Sequence, residues 1–241
     1  IYSPTTLCDE VLQDALQEFN ADVMVVVAYG LILPEAVLSM PRLGCVNVHA
    51  SLLPKYRGAS PIQQAILSGD AETGITVMKI IKALDAGPML LQSRCAIEKT
   101  DTAETLSKKL AQLGAETLLK TLDRGLVNAE AQDETQATYT KKIDKSDARI
   151  DWNKSAIDLD REIRAFNPWP ISFTEMNGER IRILQSTPLA ETHHKKPGQI
   201  ISANPVGIGG ATGEGVLQIQ QLQLSGGKKL PVSAVLNGKP A

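Results

Sequence analysis

The sequence predicts an α/β domain on a mostly parallel sheet, followed by a smaller domain of short β-strands. Three stretches carry that prediction. Ala21-Asp-Val-Met-Val-Val-Val-Ala-Tyr-Gly30 is a continuous β-branched run, the mark of a strand buried on both faces, as in a parallel sheet. Cys45-Val-Asn-Val-His49 is a second apolar strand. It passes into a proline-containing loop and then into Ser60-Pro61, residues suited to be the N-cap and first position of a helix. Beyond residue 149, short alternating segments separated by Gly and Pro turns mark a small barrel or sandwich.

Taken in order, apolar residues at Leu7, Val11, Leu12, Ala15, Leu16 and Phe19 recur at helical spacing and predict a helix over 6–19. After the strand at 21–30, a short helix fits near Pro34, and 44–48 forms the next strand. A helix over 61–67 closes at Gly69, and strands follow at 74–80 and 87–95. Only residues 82–86 separate these two strands, so they pair antiparallel. Leucines at 106, 110, 113, 118, 119 and 122 predict a long helix over 102–124 that packs on a core and stops at Gly125. Residues 129–147 are rich in Gln, Glu, Thr and Lys and suit a linker. A helix over 155–166 is capped by Ser155, with Asp158 at the answering position. Strands at 180–184, 198–202 and 215–224 are punctuated by Asn177-Gly178, Pro197-Gly198 and Gly209-Gly210. No internal repeat is evident. The expected domains are 1–130, a linker over 131–149, and 150–241.

A chain of 241 residues accommodates one large or two ordinary domains, and 43% hydrophobic with 22% charged residues excludes gross disorder. Cys8, Cys45 and Cys95 show no C-x-x-C spacing; they read as reduced thiols of a cytoplasmic protein, with no disulfide or zinc framework. The longest apolar run, 23–33, is too short to span a bilayer, so no membrane association is expected. The net charge of −2 conceals an asymmetry. Residues 1–140 hold 11 Lys+Arg against 17 Asp+Glu, and residues 141–241 hold 14 against 10. The second part is where an anionic partner would dock, although an ordinary solvated surface gives the same balance. The chain opens at Ile1 without an initiator Met, and Ile1-Tyr-Ser-Pro4 reads as the tail of a strand, so preceding sequence is expected; without it the strand at 23–27 would expose a face and an edge.

The chemistry concentrates at 47–61 and 84–88. Asn47 and His49 are two apart on one strand, so both side chains leave the same face. They stand where a strand gives way to a loop, the place where open α/β sheets bind ligands. Leu84-Asp85-Ala-Gly-Pro88 lies between two strands, and an aspartate facing the imidazole would fix its tautomer and orientation. Taken singly, Asp85 before Ala-Gly is a turn residue, Asn47 a sheet-end amide and His49 a packed imidazole. The Ser51 hydroxyl invites a hydrolase reading, which the absence of a G-x-S-x-G elbow opposes. His193-His194 fits a mobile surface loop better than a metal site. Lys195, Lys196, Lys228 and Lys229 are candidate phosphate contacts, or else solvated surface.

The string Asn47-Val-His49-Ala-Ser51-Leu-Leu-Pro54-Lys-Tyr-Arg57-Gly58-Ala-Ser-Pro61-Ile-Gln63, with Leu84-Asp85-Ala-Gly87, resembles the signature of the folate-dependent formyltransferases. Residues 22–33, Gln132-Asp-Glu-Thr135 and Ala165-Phe-Asn-Pro-Trp-Pro170 resemble most closely the members acting on methionyl-tRNA. The resemblance extends over nearly the whole chain. It implies a Rossmann-like, mostly parallel formyltransferase fold, N-terminally incomplete, followed by a small OB-like β-barrel that helps hold tRNA. It further implies transfer of a formyl group from 10-formyltetrahydrofolate to the α-amine of initiator methionyl-tRNA by a monomer that needs no metal. Asn47, His49 and Asp85 fall on the catalytic positions. Ser51, Leu52, Leu53 and Pro54 fall on the folate-binding loop, and Tyr29 and Gly30 would line the same crevice. Ala50 departs from the glycine that many relatives carry, which would crowd the loop if its φ were positive.

The implied reaction suits these side chains. An α-amine has a pKa of about 7.7–8.0, so neutral nucleophile is present near neutrality. Its attack on a formyl carbon creates an oxyanion, to which Asn47 can donate, and an acidic ammonium, whose proton His49 or Asp85 can take. The residues alone leave open which of the two accepts it. Two other readings share the same trio: formylation of a small amine such as a purine nucleotide or an amino sugar, and a non-catalytic folate- or RNA-binding fragment.

Overall fold

The Asp9 carboxylate accepts the Val11 N–H and caps helix α1 (Glu10–Glu18), so the helix begins there and not at residue 6 as the apolar spacing predicts. The structure is a computed structural model that describes residues 3–238; Ile1 and Tyr2, which open the expected strand tail, lie outside the described residues. The chain divides into two units. One comprises Ile1–Pro61, Ala71–Ala96 and Lys108–Lys142, the other Ile62–Asp70, Ile97–Ser107 and Ile143–Ala241.

In chain order follow β1 (Met24–Val26), α2 (Glu35–Leu38), β2 (Cys45–His49), β3 (Arg57–Gly58), α3 (Pro61–Leu67), β4 (Glu72–Lys79), β5 (Met89–Ala96), α4 (Ala103–Asp123) and β6 (Tyr139–Thr140). The first unit carries a sheet of order β1-β2-β4-β5, with β1 parallel to β2 and the β2–β4 and β4–β5 ladders antiparallel. The β-branched run at 21–30 yields only the three residues of β1, which is not buried on both faces but shows the exposed face and edge expected of it in a chain that lacks preceding strands. Val25 is 39% and Val27 57% exposed. The cause is position: among the described residues β1 pairs with β2 alone, at the sheet's edge. Val46, Ile75, Val77 and Met78 are buried on β2 and β4, and Gly114 of α4 packs against Val48 and Ile75. The leucine stripe of α4 is core at Leu106 and Leu110, while Leu119 is exposed and Thr117 and Thr121 complete the buried face.

The stretch expected to be a linker is held in place over 130–140. Glu130 exchanges backbone hydrogen bonds with Met89, and β6 pairs parallel with β3. Its polar side chains have fixed partners there, which an aperiodic composition does not reveal.

The second unit contains α5 (Ala156–Ala165), β7 (Phe173–Met176), β8 (Glu179–Leu189), β9 (Ile200–Asn204), β10 (Gly207–Ala211), β11 (Val216–Gln223), β12 (Lys229–Pro231) and α6 (Val232–Gly238). Its antiparallel sheet runs β7-β8-β11-β10-β9, with β12 also on β11. Ser155 caps α5 as expected, accepting the Asp158 N–H at 3.1 Å. Leu159 and Ile163 of α5 are fully buried in a core with Ile183 and Leu217, each contributing about 1.5–3 kcal/mol of burial. Gly209-Gly210 is not the expected turn but the middle of β10, at a register shift against β9. A Cβ on Gly210 would come within 2.8 Å of the Trp152 ring, so glycine is needed here for close approach and not for bending. The architecture is therefore a Rossmann-like α/β domain followed by a curled antiparallel, OB-like sheet.

Candidate active site

Alternation along β2 places Asn47 and His49 on one face at its C-terminal end. Asp85 reaches them from the turn after β4, with a φ of 47°. Its Oδ1 lies 3.5 Å from Asn47 Nδ2, and its Oδ2 accepts the Gly58 N–H at 2.8 Å and stands 3.7 Å from His49 Nδ1. The structure thus brings the three expected side chains together within the first unit, around a buried imidazole.

The tautomer is not set by Asp85, as the sequence reading expects, but from the other side of the ring. His49 Nε2 is 2.9 Å from the Tyr56 carbonyl, which can only accept, so Nε2 carries the proton. The neutral ring therefore turns the Nδ1 lone pair toward the Asp85 carboxylate. A backbone carbonyl is invisible to residue-type reasoning, and no signal in the sequence could have found it.

The Asp85 turn is itself tightly constrained. A Cβ on Gly87 would fall 1.7 Å from the Lys79 carbonyl, so only glycine lets the turn lie this close to the end of β4. Gln132 Nε2 donates to the Asp85 and Gly87 carbonyls, both at 2.8 Å, and Gln132 Oε1 accepts from Arg57 Nε at 3.0 Å. Arg57 is 1% exposed; its guanidinium also forks onto Glu134 at 2.7 and 2.9 Å and reaches Tyr139 Oη at 3.1 Å. The Glu134 hydrogen bond raises the Arg57 pKa and keeps the buried guanidinium charged, and the same bond lowers the Glu134 carboxyl below its usual range. Arg57 and Gln132 lay in the sequence strings without a role attached to either.

The loop at 51–54 is pinned to the sheet. Thr76 Oγ1 donates to the Ser51 carbonyl and accepts the Leu53 N–H, and Gln92 donates to the Leu53 carbonyl. The buried Ser51 hydroxyl donates to the Lys55 carbonyl at 2.6 Å, which leaves it no nucleophilic geometry. Leu53 is buried, and Leu52 and Pro54 are half-buried. Ala50 is not among the positive-φ residues, so the feared crowding does not arise. Ser60 has a φ of 61°, away from the extended conformation of an N-cap. The parallel register sets Val26 beside Asn47, and Tyr29 and Gly30 follow past the end of β1, with Tyr29 exposed.

In the second unit, Lys195, Lys196, Lys228 and Lys229 are all exposed. Phe173, Arg182, Gln223 and Lys229 are successive cross-strand partners and so share a face, and Arg180 stacks 4.1 Å over the Phe173 ring. Arg180, Arg182, Gln223, Leu224, Ser225 and Gly226 line a shallow hollow. Sequence reasoning missed both arginines; their alternation on β8 was the available signal. His193 is not free in a mobile loop, since its Nε2 is 3.0 Å from the Gly215 carbonyl. Among the described residues no group of three or more His, Cys, Asp or Glu could hold a metal ion, and no helix is long and apolar enough to cross a membrane.

Comparison with known proteins gives the family and the fold. The family described as formyl transferase matches residues 2–122, and the formyl transferase C-terminal domain matches residues 142–240. Among solved structures, HypX from Aquifex aeolicus in complex with tetrahydrofolic acid aligns with a TM-score of 0.68 at 18% identity, over 93% of this chain and 40% of that one. The chain thus spans about two fifths of that protein's length. An N-formyltransferase from Helicobacter canadensis, in complex with folinic acid and dTDP-3-aminofucose, aligns with a TM-score of 0.63 at 21% identity, covering 81% of this chain and 72% of that one. Methionyl-tRNA formyltransferase from Clostridium thermocellum aligns with a TM-score of 0.63 at 19% identity, covering 89% and 84%. At these identities the likeness is one of fold.

Proposed function

This chain belongs to the formyl transferase family, and on that premise we propose that it transfers a formyl group from 10-formyltetrahydrofolate to the α-amine of initiator methionyl-tRNA. The observation that carries the reading is the convergence on the Asp85 carboxylate of the Asn47 amide, at 3.5 Å, and of His49 Nδ1, at 3.7 Å.

The co-substrate supplies an activated formyl carbon. The loop that would receive its flat ring suits that role, because Leu52 and Pro54 offer half-buried apolar surface on a backbone fixed by Thr76 and Gln92. Attack by the amine forms a C–N bond at the formyl carbon and places negative charge on its oxygen. Asn47 Nδ2 donates to that oxygen, an effect worth about 3–4 kcal/mol for one donor in other acyl-transfer sites. His49 Nδ1 takes the proton that the amine sheds, and Asp85 stabilises the imidazolium so formed. Collapse breaks the bond from the formyl carbon to the folate nitrogen, and the proton on Nδ1 is available to that nitrogen.

The choice of tRNA as acceptor rests on the second unit. The face bearing Arg180, Arg182 and Lys229 offers cations spaced along a strand ladder, a pattern suited to a phosphodiester backbone. A second acceptor, an amino sugar on a nucleotide, draws support from the equal TM-score of the Helicobacter canadensis enzyme. Incubating the protein with 10-formyltetrahydrofolate and each acceptor in turn separates the two. Formylmethionyl-tRNA is the expected product; formylation of the amino sugar alone would overturn the tRNA assignment, and no formylated product would overturn the enzymatic one.

A further inference from the structure

We propose that Gln132 is a positioning residue for Asp85, itself oriented by Arg57. The inference rests on the role given to Asp85 above and extends it to a residue 47 positions further along the chain.

A primary amide has two N–H donors and one carbonyl acceptor, and in Gln132 all are used. Both donors go to main-chain carbonyls that flank the catalytic turn, those of Asp85 and Gly87, at 2.8 Å each. The acceptor takes Arg57 Nε–H at 3.0 Å. The amide therefore has only one acceptable orientation. Flipping it would aim the Gln132 carbonyl at two other carbonyls and its NH2 at a guanidinium. Arg57 cannot turn away to permit the flip, because Glu134 and Tyr139 occupy the rest of its fork and its own N–H is bonded to the Thr138 carbonyl.

The grip matters because Asp85 has a left-handed φ of 47°, a conformation that costs an L-residue about 1–2 kcal/mol and that other contacts must hold. Gln132 holds the main chain of the turn while the Gly58 N–H, one residue after Arg57, holds the carboxylate at 2.8 Å. Arg57 and Gln132 thus connect the segment that supplies the Gly58 donor to the segment that supplies the acid. A buried side chain serving packing alone would be apolar here; Gln132 is 8% exposed and spends its hydrogen bonds on the turn.

The test is a double-mutant cycle in the whole chain, read as turnover with 10-formyltetrahydrofolate and methionyl-tRNA. Gln132→Met keeps length and apolar bulk but removes the hydrogen bonds to the turn and to Arg57. Turnover should fall about 10²-fold, the cost of a misplacement near 1 Å, with KM for both substrates little changed. Asp85→Asn should lose most activity by itself, and adding Gln132→Met to it should slow the reaction no further. Gln132→Glu, which keeps the Arg57 pairing but faces the two carbonyls with an acceptor, should also lose turnover, and it decides the question if the Met variant does not fold. Near-normal turnover in a folded Gln132 variant, or losses that multiply with that of Asp85→Asn, would overturn the positioning role. Near-normal turnover in Asp85→Asn would instead remove the catalytic reading of Asp85 on which the role depends.

Discussion

Asn47 makes a sharp test because its contributions to folding and to chemistry separate. Its amide reaches Asp85 Oδ1 at 3.5 Å, the outer limit of a hydrogen bond, so the contact contributes less to stability than the 0.5–1.5 kcal/mol of an ordinary one. Asn47→Ala should therefore cost under about 1 kcal/mol of stability. If the amide instead donates to an oxyanion that exists only during reaction, its loss should slow turnover by about 10²–10³-fold, or about 2.7–4 kcal/mol. Asn47→Asp sharpens the contrast. Two carboxylates 3.5 Å apart repel by about 5 kcal/mol at an effective dielectric of 20, enough to keep a proton on one of them near neutrality. The native variant then holds a proton that the unfolded chain releases. Its stability, relative to the parent, rises as pH falls from 8 and is lost as pH climbs through the raised native value. Single-turnover formyl transfer and thermal midpoints between pH 5 and 8 read both effects. Turnover of the Ala variant within threefold of the parent, or a parallel pH dependence of the Asp variant's midpoint, would refute the oxyanion role and the proximity respectively.

Three further outcomes follow from other sites. Gly87→Ala should abolish activity and lower the thermal midpoint, since its Cβ would sit 1.7 Å from the Lys79 carbonyl and backbone must move; an unchanged midpoint would show that the turn admits a side chain at no cost. Burial pushes the Glu162 carboxyl above its usual range despite the Lys154 ammonium beside it, so its contribution to stability declines as pH rises through that value. Glu162→Gln should then raise the midpoint at pH 8 and leave it near the parent's at pH 4, by thermal denaturation; equal shifts at both would argue otherwise. Arg182→Ala should reduce the slope of log affinity for tRNA against log salt by about one without changing turnover at saturating tRNA, measured by filter binding; an unchanged slope would remove Arg182 from the phosphate-contacting face.

Legibility in the sequence followed the range of the interactions. Period-2 alternation is local, so Asn47 and His49 were placed on one face without coordinates, and the five residues at 82–86 were enough to fix the β4–β5 pairing. The Ser155 cap was legible because both partners lie within one helical turn. What stayed hidden depends on distant partners. The run at 21–30 spells a strand buried on both faces, but such burial requires neighbours on both sides, and among the described residues β1 has one. Gly209-Gly210 spells a turn until Trp152, far earlier in the chain, claims the space above it. The polar stretch at 130–140 looks idle because its partners, Arg57 and Met89, lie more than 40 residues away.

The same distinction bears on which of His49 and Asp85 accepts the proton. From residue types the two are interchangeable bases. The Tyr56 carbonyl breaks that symmetry, because it holds the proton of the neutral ring on Nε2 and leaves a lone pair at Nδ1 facing Asp85 Oδ2 across 3.7 Å. A lone pair and a carboxylate repel, whereas a proton between them is attracted to both. In the proposed reaction the two groups therefore act as one acceptor that holds a single proton, entering at Nδ1 with the carboxylate behind it. Asp85→Asn removes the charge but keeps the shape, and its amide could donate to the Nδ1 lone pair. That donation would block the position where the proton must arrive. The amide variant should consequently be slower than Asp85→Ala, which leaves Nδ1 open, and single-turnover rates at saturating folate compare the two directly. If the alanine variant proves the slower, an amide at position 85 does not block Nδ1, and proton entry at Nδ1 is refuted.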